Sequence, residues 1–336
     1  MNDLRFIRVQ IFMDKGIVGI QNMGNTCYCN STIQLLRTCP DWNIVCITND
    51  FTNLKETNAK KILLAYQDIL KSLWSASKPA YVRPLGFINE IKKAVQGTVY
   101  EMFGFPIPND SHEFLVYLLD NFHEATKTEL PYIENASKTM SSMATNGWNK
   151  FISKNNSEIV TIFFGMIRKT IHCSNCKNNT YQWEVFNSLK IPCEGSTFYE
   201  WIQNELKTID IEGYKCENCN LHTNAKIYSH IWKLPKSLFI TIRRFHPNGS
   251  KNMTVCQYTG DNITLSDFFA EESDDPSKSW TYELKGICDH HGSHMGGHYV
   301  TQFKHLNEWW RIDDENATKQ SPQFSPSNYI FLFRYI

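Results

Sequence analysis

Cys27 is the first residue whose setting could support chemistry. It lies in Asn22-Met-Gly-Asn-Thr-Cys27-Tyr-Cys-Asn-Ser, directly before a predicted amphipathic helix over Tyr28–Thr38. A helix N-terminus presents free N–H groups and the positive end of its dipole, and both favour the thiolate, the reactive form of cysteine. Asn22, just upstream, can offer a side-chain N–H to a developing oxyanion. Taken alone, this pattern fits a small buried cysteine at a helix start more often than a nucleophile. Cys29 follows on the same turn with its side chain pointing elsewhere, and reads as packing.

A partner for Cys27 lies near the other end of the chain. His298 follows Gly296-Gly297 and opens a strand, and the glycines there would let a substrate backbone pass close to the imidazole. A hairpin turning around His305–Asn307 would bring Asp313 beside His298. A carboxylate in that place orients an imidazole, completing a Cys/His/Asp arrangement for nucleophilic attack. Consecutive strand residues point to opposite faces, so only one of Asp313 and Asp314 can easily face His298. Asp313 is expected to do so, with Asp314 as an auxiliary that holds water. A metal site at His294 and His298 would need helical spacing, which the two glycines oppose.

Cysteines supply a second chemistry. Cys173-Ser-Asn-Cys176 and Cys216-Glu-Asn-Cys219 are two C-x-x-C turns, each followed by polar turn residues. Two such turns can place four thiolates around one Zn²⁺ with no position left for water, a structural site. The spacer, residues 177–215, exceeds the compact four-cysteine pattern and has room for a strand and more. Two unrelated cysteine pairs are the competing reading, and redox chemistry would need only one motif.

These residues must be held by elements of two kinds. Helical stripes occupy the first part of the chain: the Cys27 helix; Ile62, Tyr66, Ile69, Leu70 and Leu73; Phe87, Ile88, Ile91 and Val95; and Phe114, Leu115, Leu118, Leu119 and Phe122. The last begins at Asp110-Ser-His-Glu113, a capping box. Residues 128–157 are rich in Asn, Ser, Thr and Lys and read as a loop or insertion. Strands are predicted over 161–172, 180–191, 225–233, 238–245, 282–288, 298–303, 308–312 and 329–335. The apolar run Ile159–Ile167 is strand-sized, and the acidic run Glu271–Asp275 reads as a solvated loop. Helices first and strands later is the order of an α+β fold.

Composition excludes several classes. Lys+Arg and Asp+Glu are both 34, so no global charge argues for nucleic acid or an anionic membrane as partner. Aromatics at 13% argue against disorder. No run approaches the ~18 apolar residues of a membrane span, and Met1–Lys15 holds no signal-peptide core. The 11 cysteines, without such a signal, suggest a reducing compartment, cytoplasmic or nuclear.

Together the motifs resemble the ubiquitin-specific protease family of deubiquitinating cysteine proteases. Gly19-Ile-Gln-Asn-Met-Gly-Asn-Thr-Cys27-Tyr-Cys-Asn-Ser-Thr-Ile-Gln34 is similar to its nucleophile box, and Asn109-Asp110-Ser-His-Glu113-Phe114 to its Gln-Asp-x-x-Glu-Phe box, with Asn109 departing from Gln. Leu234–Phe245, Tyr282–Ile287, His290-x-Gly292, Gly296-Gly-His-Tyr-Val300 and Tyr329–Tyr335 follow in the family's order. The resemblance implies a papain-like core with a helical thumb (16–127), a polar insertion (128–157), zinc-ribbon β fingers (158–233) and a β palm (234–336), after an extension over 1–15. It implies hydrolysis of the (iso)peptide bond after the C-terminal glycine of ubiquitin. Cys27, His298, Asp313, Asn22 and Asp314 would serve catalysis. Asp110 and Glu113 would bind the basic ubiquitin tail, the cap using one Asp110 oxygen and leaving the other free. One structural Zn²⁺ on Cys173, Cys176, Cys216 and Cys219 is implied, with ubiquitin and ubiquitinated proteins as partners and a monomeric enzyme. Alternatives are a protease for another ubiquitin-like modifier, a catalytically dead ubiquitin-binding scaffold, or a zinc-ribbon interaction module.

Overall fold

The computed structural model describes residues 16–255, 257–258, 260, 262–270 and 279–336. The expected extension 1–15 and the acidic run Glu271–Asp275 lie outside the described residues. Helices dominate the first part: α1 (Cys27–Leu36), α2 (Pro40–Thr48), α3 (Asn58–Leu73), α4 (Leu85–Val95) and α5 (Ser111–Thr126). Short strands β1 (Gly19–Ile20) and β2 (Tyr81–Val82) pair in parallel beside them. After α6 (Met140–Asn155) and α7 (Glu158–Phe163) come β3 (Gly165–Cys173), β4 (Asn179–Phe186) and β5 (Ser188–Pro192). Then follow α8 (Phe198–Glu205), β6 (Ile209–Lys215), β7 (His222–Lys233), β8 (Ser237–Arg243), β9 (Asn262–Thr264), β10 (Thr281–Ser293), β11 (Gly296–His305), β12 (Glu308–Asp313), β13 (Asn316–Lys319) and β14 (Asn328–Tyr335). The expected α+β order is what the chain adopts.

Two sheets divide the strands. An eight-stranded sheet runs β13-β12-β11-β10-β14-β8-β5, with β9 on β10. A four-stranded antiparallel sheet runs β4-β3-β7-β6. Strand β5, within the range expected for fingers, pairs in parallel with β8 and so belongs to the large sheet.

Helix α1 is not amphipathic, as the sequence suggested, but buried on every side. Several of its polar groups bond inside: Gln34 donates to the Val18 carbonyl at 2.9 Å, Thr32 to the Tyr28 carbonyl at 2.8 Å, and Thr301 donates to the Ser31 carbonyl at 2.9 Å. One face lies on the large sheet, where Gly286 leaves room for Leu35; a Cβ there would sit 2.8 Å from its Cδ1. A core of Leu35, Leu36, Trp42, Tyr66, Phe114 and Phe122 joins α1 to the surrounding helices. A second core, on Trp201, Phe198, Ile240, Phe331 and Phe333, covers the sheet around α8.

Two local readings fail for physical reasons. Residues 128–157 hold a four-turn helix, α6, whose N-cap Thr139 accepts from the Ser142 N–H. Its polar composition hides it; packing of Met140, Ala144 and Trp148 against Met166, Trp183 and Trp232 supplies the stability. The run Ile159–Ile167 splits into helix α7 and the start of β3. Ser157 caps α7 by accepting from the Val160 N–H, and Ile159, Val160, Ile162 and Phe163 are all buried. An apolar run buried all round carries no period to separate helix from strand.

Candidate active site

Cys27 is the first residue of α1 and is 7% exposed. The turn before it is built by Asn22, whose side-chain oxygen accepts from the Gly24 N–H at 3.0 Å and from the Thr26 N–H and hydroxyl, each at 3.2 Å. Thr26 in turn accepts from the Met23 N–H at 2.8 Å. Burial lifts the Cys27 thiol above its ordinary value, and the charge of Asp314 adds to this; N–H groups of Tyr299, Tyr28 and Cys27 itself work against it. The helix terminus therefore does not outweigh burial at this sulfur. Cys29 is fully buried, as its packing role requires, and burial raises its thiol strongly.

The hairpin between β11 and β12 forms as its turn residues suggest, with Thr301 opposite Ile312 and His305 opposite Glu308. His298 Nε2 lies 2.6 Å from Asp313 Oδ1. An ionised carboxylate only accepts, so Nε2 carries the proton and Nδ1 keeps its lone pair. Gly297 has a nearer reason to be glycine than a passing substrate. A Cβ there would lie 2.3 Å from the His291 carbonyl oxygen on the neighbouring strand and 2.5 Å from His290 Nε2.

Asp314 grips two amides. Asn22 Nδ2 donates to its Oδ2 at 2.8 Å, and Asn30 Nδ2 to its Oδ1 at 2.7 Å. Asn30 sits one turn after Cys27 on α1, is 2% exposed, and also donates to the Ile20 carbonyl at 3.1 Å. Glu315 accepts from the Asn22 backbone N–H at 3.1 Å, and the Ile20 N–H donates to the Asp314 carbonyl at 2.8 Å. Strand β1 is thus sewn to the β12–β13 turn, and Gly19 permits the approach: a Cβ there would fall 2.2 Å from the Glu315 carbonyl oxygen. Side-chain atoms of His298, Asp313 and Asp314 lie within 4.8 Å of one another. Sequence reasoning missed Asn30 and Glu315. The signal for Asn30 was present, since a residue three after Cys27 on a helix shares its face.

Asp110 caps α5, its Oδ1 accepting from the His112 and Glu113 N–H groups at 2.8 and 2.9 Å. Its Oδ2 is not free, as expected from sequence, but accepts from the Tyr329 hydroxyl at 2.7 Å. Tyr329 arrives from β14, far away in sequence, so no local pattern announced it. Glu113 is exposed. On β10, opposite Val300, Asp289 is 4% exposed and accepts from Gln302 and Asn328 at 2.6 Å each; burial, partly offset by these donors, pushes its carboxyl up to about 6.

The four cysteines meet at the tips of the β3–β4 and β6–β7 hairpins. Their Sγ atoms lie within 4.8 Å of one another, with Cys173–Cys219 at 4.0 Å and Cys176–Cys216 at 3.7 Å. Four sulfurs about 2.3 Å from one Zn²⁺ would be about 3.8 Å apart, so the set fits the metal. The two turns repeat each other. Lys177 and Asn220, each directly after a second cysteine, have φ of 58°. Asn175 donates to Cys219 Sγ at 3.7 Å and Asn218 to Cys176 Sγ at 3.5 Å, each reaching to the opposite turn. The donor from Asn218, with the Asn178 N–H, brings the Cys176 thiol down to about 6, toward the thiolate a metal requires.

Comparison with known proteins bears on this geometry. The chain is 26% identical over 337 residues to Ubiquitin carboxyl-terminal hydrolase Usp2 of Drosophila melanogaster, covering 95% of this chain and 35% of that one. To Ubiquitin carboxyl-terminal hydrolase 5 of Saccharomyces cerevisiae it is 25% identical over 362 residues, covering 95% and 45%. The chain thus spans less than half the length of these two curated relatives. Among solved structures it is similar to the SAGA Ubp8/Sgf11/Sus1/Sgf73 DUB module bound to ubiquitin aldehyde, with a TM-score of 0.74 at 21% identity, covering 97% of this chain and 70% of that one. The family model described as ubiquitin carboxyl-terminal hydrolase matches residues 18–333. That span takes in Asn22, Cys27, His298, the β12–β13 turn and all four clustered cysteines, and the chain belongs to the ubiquitin carboxyl-terminal hydrolase family.

Proposed function

We propose that this chain is a thiol-dependent deubiquitinase that hydrolyses the peptide or isopeptide bond after the C-terminal glycine of ubiquitin. The observation that carries the reading is the setting of Cys27, at the start of a buried helix and hydrogen-bonded by the N–H of Tyr299, the residue after His298, while a hairpin from the far end of the chain pairs His298 with Asp313. Family membership and neighbours bound to monoubiquitin or ubiquitin aldehyde support it.

In this mechanism His298 Nδ1 takes the Cys27 proton as sulfur attacks the glycine carbonyl. Asn22 uses one amide hydrogen on Asp314. The other, with the Cys27 backbone N–H, meets the oxyanion. Asp314 and Glu315 keep Asn22 from turning away, which is the auxiliary role we assign to Asp314. His298 then protonates the departing lysine amine and activates the water that releases the acyl-enzyme. Asp313 holds the tautomer throughout. Asp110 and Glu113 offer carboxylates to the arginine-rich ubiquitin tail; with Tyr329 on one oxygen, Asp110 contributes its remaining lone pairs, and the exposed Glu113 carries more of that contact.

One Zn²⁺ on Cys173, Cys176, Cys216 and Cys219 would tie the finger hairpins, supplying structure and no step of the reaction. The thumb, finger and palm division belongs to the same reading, with β5 and α8 moved from the fingers to the palm. So does a monomeric enzyme acting in cytoplasm or nucleus on ubiquitinated proteins. No helix among the described residues is long and apolar enough to cross a membrane, and no disulfide joins the described cysteines.

Purified protein should cleave a panel of di-ubiquitins, Cys27→Ala should not, and fusions of other ubiquitin-like modifiers should be cleaved more slowly. Cleavage of such a fusion in preference to ubiquitin would move the substrate assignment.

A further inference from the structure

Asp313 carries donors on both oxygens. His298 Nε2 lies 2.6 Å from Oδ1, and Arg311 Nη2 lies 2.9 Å from Oδ2. Arg311 and Asp313 are two apart on β12, so both side chains leave the same face of the strand. Among the described residues no other cation lies within ion-pair distance of Asp313.

We infer that Arg311 is a positioning residue: it holds the second oxygen of Asp313 so that the first stays aimed at His298. The inference rests on the hydrolase reading above. Its physical basis is the softness of a carboxylate torsion. Rotation about the terminal bond of an aspartate is broad, so one hydrogen bond does not fix its plane. A second, planar donor on the other oxygen does. Burial would lift the Asp313 carboxyl, but His298 and Arg311 outweigh it and hold the group below its ordinary value. An ionised Asp313 keeps the proton on Nε2 and leaves Nδ1 as the ring nitrogen that can take a proton.

Asp289 and His291 on β10 feel this pair; Asp314, next to Asp313 in the chain, acts on the Cys27 thiol at the start of α1, and Glu315 follows it in the β12–β13 turn. Loss of Arg311 makes the potential among them more negative, and the Cys27 thiolate then forms at higher pH. A half-exposed arginine–carboxylate pair that served stability alone would contribute little and leave the chemistry of Cys27 untouched.

Two variants, Arg311→Met and Arg311→Lys, test this with two readouts. One is the pH dependence of iodoacetamide alkylation at Cys27, followed by mass spectrometry of its peptide, which needs no ubiquitin. The other is steady-state cleavage of a ubiquitin substrate. In Arg311→Met the acidic limb of alkylation should rise by about 0.3–1 pH unit. Its kcat should fall about 3- to 30-fold with KM nearly unchanged. Arg311→Lys should restore the limb but only part of kcat, because an ammonium lacks the planar fork. An unmoved limb, a limb moved to lower pH, or a wild-type kcat in Arg311→Met would overturn the role. Wild-type protein inert on ubiquitin, with a limb that still shifts in the variant, would reject the hydrolase reading and support the role of Arg311.

Discussion

At the residue scale, the two adjacent aspartates do different work. Asp313 touches His298 and Arg311, while Asp314 turns to the other side and grips Asn22 and Asn30. Alternation along a strand explains Asp313, but β12 ends there, and Asp314 enters the turn with a φ of 48°. Alternation in the sequence parts the two side chains, while the amide partners of the second come from α1 and the turn before it and have no local signal. The expected consequence is two kinds of loss. Asp313→Ala should reduce kcat by about 100-fold or more, since the imidazole loses its orienting partner. Asp314→Ala should cost about 10- to 100-fold through a loosened Asn22, on the scale of a weakened oxyanion donor. Because that loss runs through Asn22, adding Asn22→Ala to Asp314→Ala should cost much less than Asn22→Ala alone. Additive losses in this double-mutant cycle would separate Asp314 from the oxyanion site.

At the element scale, the site is a junction between one helix and one hairpin. The cysteine-bearing helix was legible because its neighbourhood carries a turn, a helix start and a dense motif. The β11–β12 hairpin was legible because strand periodicity and turn residues placed Asp313 near His298. The short strand β1 was not, yet its backbone bonds to Asp314 and its Gly19 bring the two halves into register. A two-residue strand has no period to read. The coming together of the two finger turns was legible from their C-x-x-C motifs, though strand β6 was not among the expected strands, and the turns meet with sulfurs at tetrahedral separations. Their small sheet is exposed over much of β4 and β6, so little apolar burial holds the tips together. Metal binding should therefore supply local stability. Purified protein should carry about one equivalent of zinc, and Cys216→Ser should lose it and become protease-sensitive between residues 173 and 222. Metal analysis paired with limited proteolysis checks this; zinc-free protein with resistant fingers would contradict it.

At the scale of the whole molecule, α1 lies between two bodies of structure and is buried by both. Helix α5 lies against one side, with α3 and α4 packed beyond it, and the eight-stranded sheet covers the other. This is why Cys27 and His298, at opposite ends of the chain, can be neighbours, and why an α+β order of elements was the right expectation. Helix α6 escaped because its stability comes from Trp183 and Trp232 on the finger strands, which no local window contains. The most direct test of the account is the reaction of the purified protein with ubiquitin carrying a C-terminal electrophile, read by intact mass and peptide mapping. One ubiquitin should attach to wild-type protein, at Cys27, and none to Cys27→Ala. An adduct that persists in Cys27→Ala and maps to another cysteine, or wild-type protein that forms none, would contradict it.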